Sequence, residues 1–384
     1  MKERPSLSLD EAEASLCAAI RGEPEIWRRL TDAGAEARFL DAAVAHRCRP
    51  LLAWRLRASA ELPMWPRTVR EGLLGAERAE AALELLRRRE LGRLLRVFAA
   101  ADVPVLLLKG AALAYLLYPE PWLRPREDTD LLVQGSHASR AGELLVSLGY
   151  QPALMQRGEL VANQRLHVRS EASGLRHDCD LHWKIANPVS FAELLTPAEL
   201  MRGAESTSLD EVEVRCPRRA HALLLACWHR ASHHFDSPNL LWLYDLHLLV
   251  EGLTDADAAE VLQVARETRT TEVCARGLQL SSERFKTRLP TALRDLTDLT
   301  APNTTRRSDA AAYLRPDARR VDLLAADLRS LPTWRQRLRL VREHLFPPAD
   351  YMLSSHPGST RLRLPALYLW RIARGARSWF RPLR

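Results

Sequence analysis

Residues 106–133, LLLKGAALAYLLYPEPWLRPREDTDLLV, decide the fold. Together with the three residues before it, the opening makes VPVLLL (103–108), a short continuous apolar run of the kind a buried strand shows. AALAYLLY (111–118) reads as a helix leaving that strand, PEPWLRP as an ordered turn, and DLLV (130–133) as a second buried strand. Asp128 and Asp130 stand at the mouth of this second strand. Alternation along a strand points both to one side, and paired carboxylates repel unless a hard cation lies between them. Gly110, after the first strand and opening the helix, lets backbone amides approach an anion, with a favourable helix dipole behind them.

Working outward, residues 9–100 are helical almost throughout, and Asp102 and Pro104 end that region. Downstream, 139–150 is a helix closing on Gly149, and 165–171 with 176–183 alternate polar and apolar residues as a hairpin does. Residues 206–217 suggest another strand pair at the sheet edge. From Arg218 the pattern returns to helix, interrupted by a loop at 300–320 and ending in a basic amphipathic helix, RLPALYLWRIARGARSWFRPLR. The expected fold is α+β, a small mixed-sheet core (101–217) between an N-terminal helical region (1–100) and a C-terminal helical domain (218–384).

A third carboxylate, Asp180, opens D-L-H-W (180–183) on the hairpin. Three acids on neighbouring strands, facing a turn that admits phosphate, are the parts of two-metal phosphoryl transfer. Lysine is scarce: among 56 basic residues it appears only at Lys2, Lys109, Lys184 and Lys286. Lys109 and Lys184 adjoin the motifs, where a compact ammonium suits phosphate. Arg124 and Arg126 offer planar clamps for the same group.

Composition bounds the rest. The 384 residues are 47% hydrophobic and 27% charged, as in an ordinary globular protein. Six scattered cysteines form no C-x-x-C pair, which argues against a disulfide framework or zinc ribbon and for a reducing cytoplasm. The N-terminus has no apolar signal core, and the apolar region Leu94–Tyr118 is cut by Arg96, Asp102, Pro104 and Lys109, so neither a membrane span nor a membrane partner is expected. The net charge of +8 invites RNA binding, but basic residues alternate with acids along the chain, and RNA is not favoured as a partner.

The motifs L-L-K-G-A-A-L-A, Y-P-x-P-x-x-R-P-x-x-D-x-D-L-L-V and D-L-H-W, continued by A-L-L-L-A-C-W-H-R-A-S-H-H and W-L-Y-D-L-H, resemble the uncharacterised nucleotidyltransferase family of the polymerase-beta-like superfamily. The resemblance implies a metal-dependent site using Mg²⁺ or Mn²⁺. It places Asp128, Asp130 and Asp180 as metal-binding and catalytic carboxylates, and Gly110 and Ala111, with Lys109 and Arg124, at the nucleotide. The implied reaction moves an NMP, with AMP the expected fragment, from an NTP to a hydroxyl on a small molecule, peptide or protein. Where the superfamily has Gly-Ser or Gly-Gly this chain has Gly110-Ala111, and the gap to Asp128 is longer than is typical. A silent scaffold and a toxin–antitoxin or RNA-modifying enzyme are the alternative readings. His229, His233 and His234 lack a third zinc ligand in sequence and read as packing, His167 and His182 as hairpin residues, and Trp122, Trp183, Trp228 and Trp242 as core or interface.

Overall fold

Alternation along each strand assigns every second side chain to one face of the sheet. In the computed structural model, which describes residues 9–154, 158–298, 308–381 and 383, four helices come first: α1 (Leu9–Ile20), α2 (Ala33–Ala45), α3 (Arg49–Arg57) and α4 (Arg67–Ala100). The buried side chains of α4, among them Val69, Leu73, Leu91, Leu95 and Phe98, recur at three- and four-residue spacing. Asp102 then takes a left-handed φ of 52°, and the chain turns into β1 (Leu106–Leu108).

The sheet is interleaved with two helices: α5 (Lys109–Leu117), β2 (Asp128–Leu132), α6 (Ala138–Ser147), β3 (Gln151–Pro152), β4 (Gln164–Ser170) and β5 (Arg176–His182). Strand order is β1-β2-β5-β4-β3, antiparallel except between β2 and β5, which run parallel. The sheet is therefore mixed and the fold α+β, as the sequence led us to expect. Two short helices, α7 (Val189–Ala192) and α8 (Pro197–Arg202), precede β6 (Glu205–Leu209) and β7 (Val212–Cys216). These two strands form a separate two-stranded sheet instead of extending the edge of the main one. They are held by packing, since Leu209, Val214 and Cys216 join the apolar cluster around β1 and α4.

Helices make up the remainder: α9 (Arg219–His234), α10 (Leu240–Glu251), α11 (Asp255–Glu267), α12 (Thr271–Phe285), α13 (Thr291–Asp298), α14 (Arg320–Ser330), α15 (Trp334–Leu345), α16 (Ala349–Ser354) and α17 (Leu364–Trp379). Of the loop expected at 300–320, residues 300–307 lie outside the described residues, and Ala310–Leu314 is a 3₁₀ turn.

The sheet divides the core in two. Leu107, Leu131, Cys179 and Leu181 face a cluster shared with α4 and α6. Leu106, Leu108 and Leu132 face the other way, into a cluster that joins α1–α3 to α9, α10 and α12. Asp128 and Asp130 have the parity of Leu132, so the acids look toward the helices that flank the sheet on both sides in sequence.

Candidate active site

The register of β2 and β5 brings the acids together. Asp128 pairs with Asp178 and Asp130 with Asp180, and parallel pairing at equal parity puts all four on one face. His182 shares that parity and is fully buried. Its Nε2 lies 2.9 Å from Asp130 Oδ1 and 3.9 Å from Asp180 Oδ2. Asp130, Asp180 and His182 form a group in which one donor atom from each lies within 4.8 Å of the others. From the sequence alone His182 reads as a hairpin residue. The signal it carries is the D-x-H spacing, which puts it on Asp180's side of the strand.

Lys109 enters from the start of α5. Its Nζ donates to Asp130 Oδ1 at 2.7 Å and stands 3.3 Å from His182 Nε2. Its backbone holds a left-handed φ of 47°, unusual for a non-glycine residue, and this fixes the side chain at the junction of β1 and α5. With Lys109 and His182 against it, Asp130 stays ionised, held well below the usual carboxylate range despite its burial. Gln164, opposite His182 on β4, donates its amide to Asp180 Oδ2 and leaves Asp180 Oδ1 buried without a partner. No motif marks Gln164; only the pairing of β4 with β5 reveals it.

Burial and the Asp130 charge push both Asp128 and Asp180 up to about 6. A carboxyl that holds its proton more tightly in the fold than in the unfolded chain stabilises the fold fully below its unfolded value of 3.8. That contribution is lost as pH rises through about 6. Asp180→Asn removes the dependence. Without metal, the variant is expected to be more stable than wild type by ~1–2 kcal/mol at about pH 8, the two converging near about pH 4. Urea unfolding in EDTA at both pH values tests this, and a variant less stable at the higher pH would contradict it.

The acids open into a cavity of about 340 Å³. Its walls include Lys109, Gly110, Asp128, Gln164 and the helix α9 histidines. Ala111 is buried behind Gly110 in the first turn of α5. Arg124 lines the cavity but is anchored from α10: its Nε and Nη2 donate to Asp245 at 2.9 and 2.7 Å, and Asp245 also accepts from Tyr118 Oη at 2.8 Å. The remaining nitrogen, Nη1, crosses over Gly110, where a Cβ would sit 2.6 Å from it. Glycine is needed there for the guanidinium to pass. Arg126 lines the cavity as well but is paired with Glu84 of α4 at 3.1 Å, whereas Lys184 pairs with Glu193 away from the cavity.

The α9 histidines line this cavity as well as packing against one another. His229 and His234 Nε2 atoms lie 3.1 Å apart, while His229 Nδ1 and His233 Nε2 are buried with no partner. Burial and the Lys109 charge keep the rings neutral, lowering His233 to about 3 and His234 to about 4. Trp242 stacks on His234, ring centres 4.0 Å apart, at the cavity's edge. His167 instead bonds Arg165 O, and Trp228 is core, its Nε1 donating to Thr270.

Residues 33–286, which contain every group described above, match the model of the uncharacterised nucleotidyltransferase family. The chain belongs to that family. A solved structure, an antigenic nucleotidyltransferase-like protein from Paracoccidioides brasiliensis, is similar at 13% identity and a TM-score of 0.37, over 53% of this chain and 94% of its own. No curated protein matches the chain. Among the described residues no helix is long and apolar enough to cross a membrane.

Proposed function

We propose that this nucleotidyltransferase-family protein transfers an NMP, AMP being the expected fragment, from an NTP to an acceptor hydroxyl, releasing pyrophosphate. The observation that carries the reading is the convergence of Asp130 and Asp180, braced from behind by the buried His182, with Asp128 at the mouth, on one cavity. The donor set fits a divalent cation. It holds hard carboxylate oxygens, one of them buried and unpartnered on Asp180, and the Lys109 ammonium already stands against Asp130 as a cation would. Asp128, Asp130 and Asp180 would hold Mg²⁺ or Mn²⁺, with His182 bracing Asp130. When bound, such an ion neutralises the triphosphate and polarises its α-phosphorus.

The chain's own groups supply the rest. The Lys109 ammonium and the free Nη1 of Arg124 offer positive charge to the phosphates beside Gly110. Asp180, with its proton affinity raised to about 6 and Gln164 holding one of its oxygens, accepts the proton of the acceptor hydroxyl. The hydroxyl oxygen bonds to the α-phosphorus as the bond to the bridging oxygen of pyrophosphate breaks. The neutral imidazoles of His229 and His233 suit the uncharged nucleoside or acceptor better than a phosphate.

A second reading, a silent scaffold of the same fold, is favoured by Lys109 already neutralising Asp130. Ligand-dependent unfolding distinguishes the two. Millimolar Mg²⁺ with an NTP is expected to raise stability by ~2–3 kcal/mol, as for a ligand at about a hundred times its Kd, and EDTA should abolish the gain. Equal melting temperatures with EDTA and with Mg²⁺ plus each of the four NTPs would sink the nucleotide site. Transfer of α-labelled NMP by the purified protein then tests turnover.

A further inference from the structure

Basic residues are mixed with acids along most of the chain, but not at its end, and the positive surplus is concentrated there. Residues 361–384 carry seven arginines and no acidic residue, and without them the chain is within one charge of neutral. This segment lies beyond the residues that match the family, so the nucleotidyltransferase site does not account for it. It contains α17, which rests on the body through one face. Tyr368 Oη donates to Pro347 O at 2.6 Å, Trp379 meets His344, and Leu364, Leu367 and Ile372 are half-buried.

The opposite face is apolar as well. Ala366, Leu369, Ala373 and Ala376 on the helix, with Leu362 in the 3₁₀ turn before it and Phe380 just after it, are all exposed and follow one another at four- and three-residue intervals, an apolar stripe. Leu362 is 93% exposed, Leu369 69% and Phe380 62%. Arg363, Arg374 and Arg381 each follow a stripe residue directly and border one edge of it, and Trp370, itself exposed, lies on the same side beneath Arg374. An apolar stripe of this length left in water marks a contact surface.

We propose that α17 lies on anionic lipid bilayers, with the stripe in the acyl–headgroup boundary and the arginines on lipid phosphates. Charge decides the occupant. A second copy of α17 seated on the stripe would bring two sets of arginines together with no acid to pair them, whereas a negatively charged bilayer offers both apolar depth and anionic headgroups. Trp370 beside the stripe suits the headgroup level, where aromatic side chains collect. The helix has too few apolar residues to span, and its stripe is one face only, so it lies in the surface.

Vesicle co-sedimentation of the full chain tests this. Vesicles of phosphatidylcholine with about a third phosphatidylglycerol should capture the protein, pure phosphatidylcholine vesicles should not, and added salt should weaken capture. Leu369→Asp should reduce binding about 10-fold or more, and Arg363→Glu with Arg374→Glu and Arg381→Glu about 100-fold. All four sites are exposed, so the urea midpoint should stay at the wild-type value and report that the variants fold. Absence of capture, or equal capture by neutral and anionic vesicles, overturns the proposal. So does a lipid-free dimer that Leu369→Asp dissociates, or retention on nucleic acid that the arginine variants lose while vesicle binding is unchanged.

Discussion

Asp130→Asn is expected to lower NMP transfer by about 10³-fold or more, about 4 kcal/mol of transition-state stabilisation, while the protein stays folded. Asp130 is the buried centre of the site, touched by both Lys109 and His182. The amide keeps the shape but withdraws the charge, leaving the Lys109 ammonium without its partner and the cation without its best-placed ligand. Asp128→Asn should act in the same direction. Asp128 stands at the cavity mouth and, on the proposed reading, would contribute through the same cation. Single-turnover transfer of α-labelled NTP, read beside the circular dichroism of each variant, measures both. Near-wild-type turnover in Asp130→Asn would remove that residue from the chemistry altogether. By contrast, Asp180→Asn should leave Mg-NTP affinity within a few-fold while kcat falls ~10²-fold, because Asp180 would hold the cation on the acceptor side and do its main work as the acceptor loses its proton. Calorimetry with a non-hydrolysable NTP separates these two classes.

The second large effect is on stability. Asp245 is buried on α10 and is held by three groups: Arg124 Nε, Arg124 Nη2 and the Tyr118 hydroxyl. Asp245→Ala leaves a buried guanidinium without a counter-charge, and this class of change costs about 3–5 kcal/mol. Replacing both partners, Arg124→Met with Asp245→Leu, should recover much of the loss, since two apolar side chains leave no unpaired charge. Urea unfolding of the single and double variants gives the coupling. A loss below about 1 kcal/mol in Asp245→Ala would show that water reaches Arg124 in its place. Because Arg124 also passes over Gly110, the single variant should lose turnover as well as stability.

Much of this was legible in the sequence because period two and short apolar runs are local. The strands around Asp128 and Asp180, the helix after Lys109 and the parity of the acids follow from residues within a few positions of one another. What was not legible depends on which segments meet. Gln164 reaches Asp180 only because β4 pairs with β5, and His182 meets Asp130 across two strands. Asp245, in the segment W-L-Y-D-L-H, meets an arginine 121 positions earlier, and nothing near it in sequence distinguishes a buried anchor from a helix-surface acid. The second sheet escaped for a related reason. A strand pair reads alike whether it joins an existing sheet edge or stands alone on it.

The parallel join of β2 to β5 has a kinetic consequence. Every other pairing in the main sheet is antiparallel, β1 with β2 on one side and β5 with β4 and β3 on the other. Each side can close over a short stretch of chain, but the join between them must span the whole segment from β2 to β5, and long closures come late. Lys109, Asp128 and Asp130 arrive with the first half, Gln164, Asp180 and His182 with the second. The site therefore does not exist in either half, and Asp180 first meets the Asp128 and Asp130 charges at the step that completes the sheet. If the site takes a divalent cation as proposed, Mg²⁺ present during refolding is expected to speed the final phase and leave the earlier ones alone, which stopped-flow refolding with Mg²⁺ and with EDTA measures.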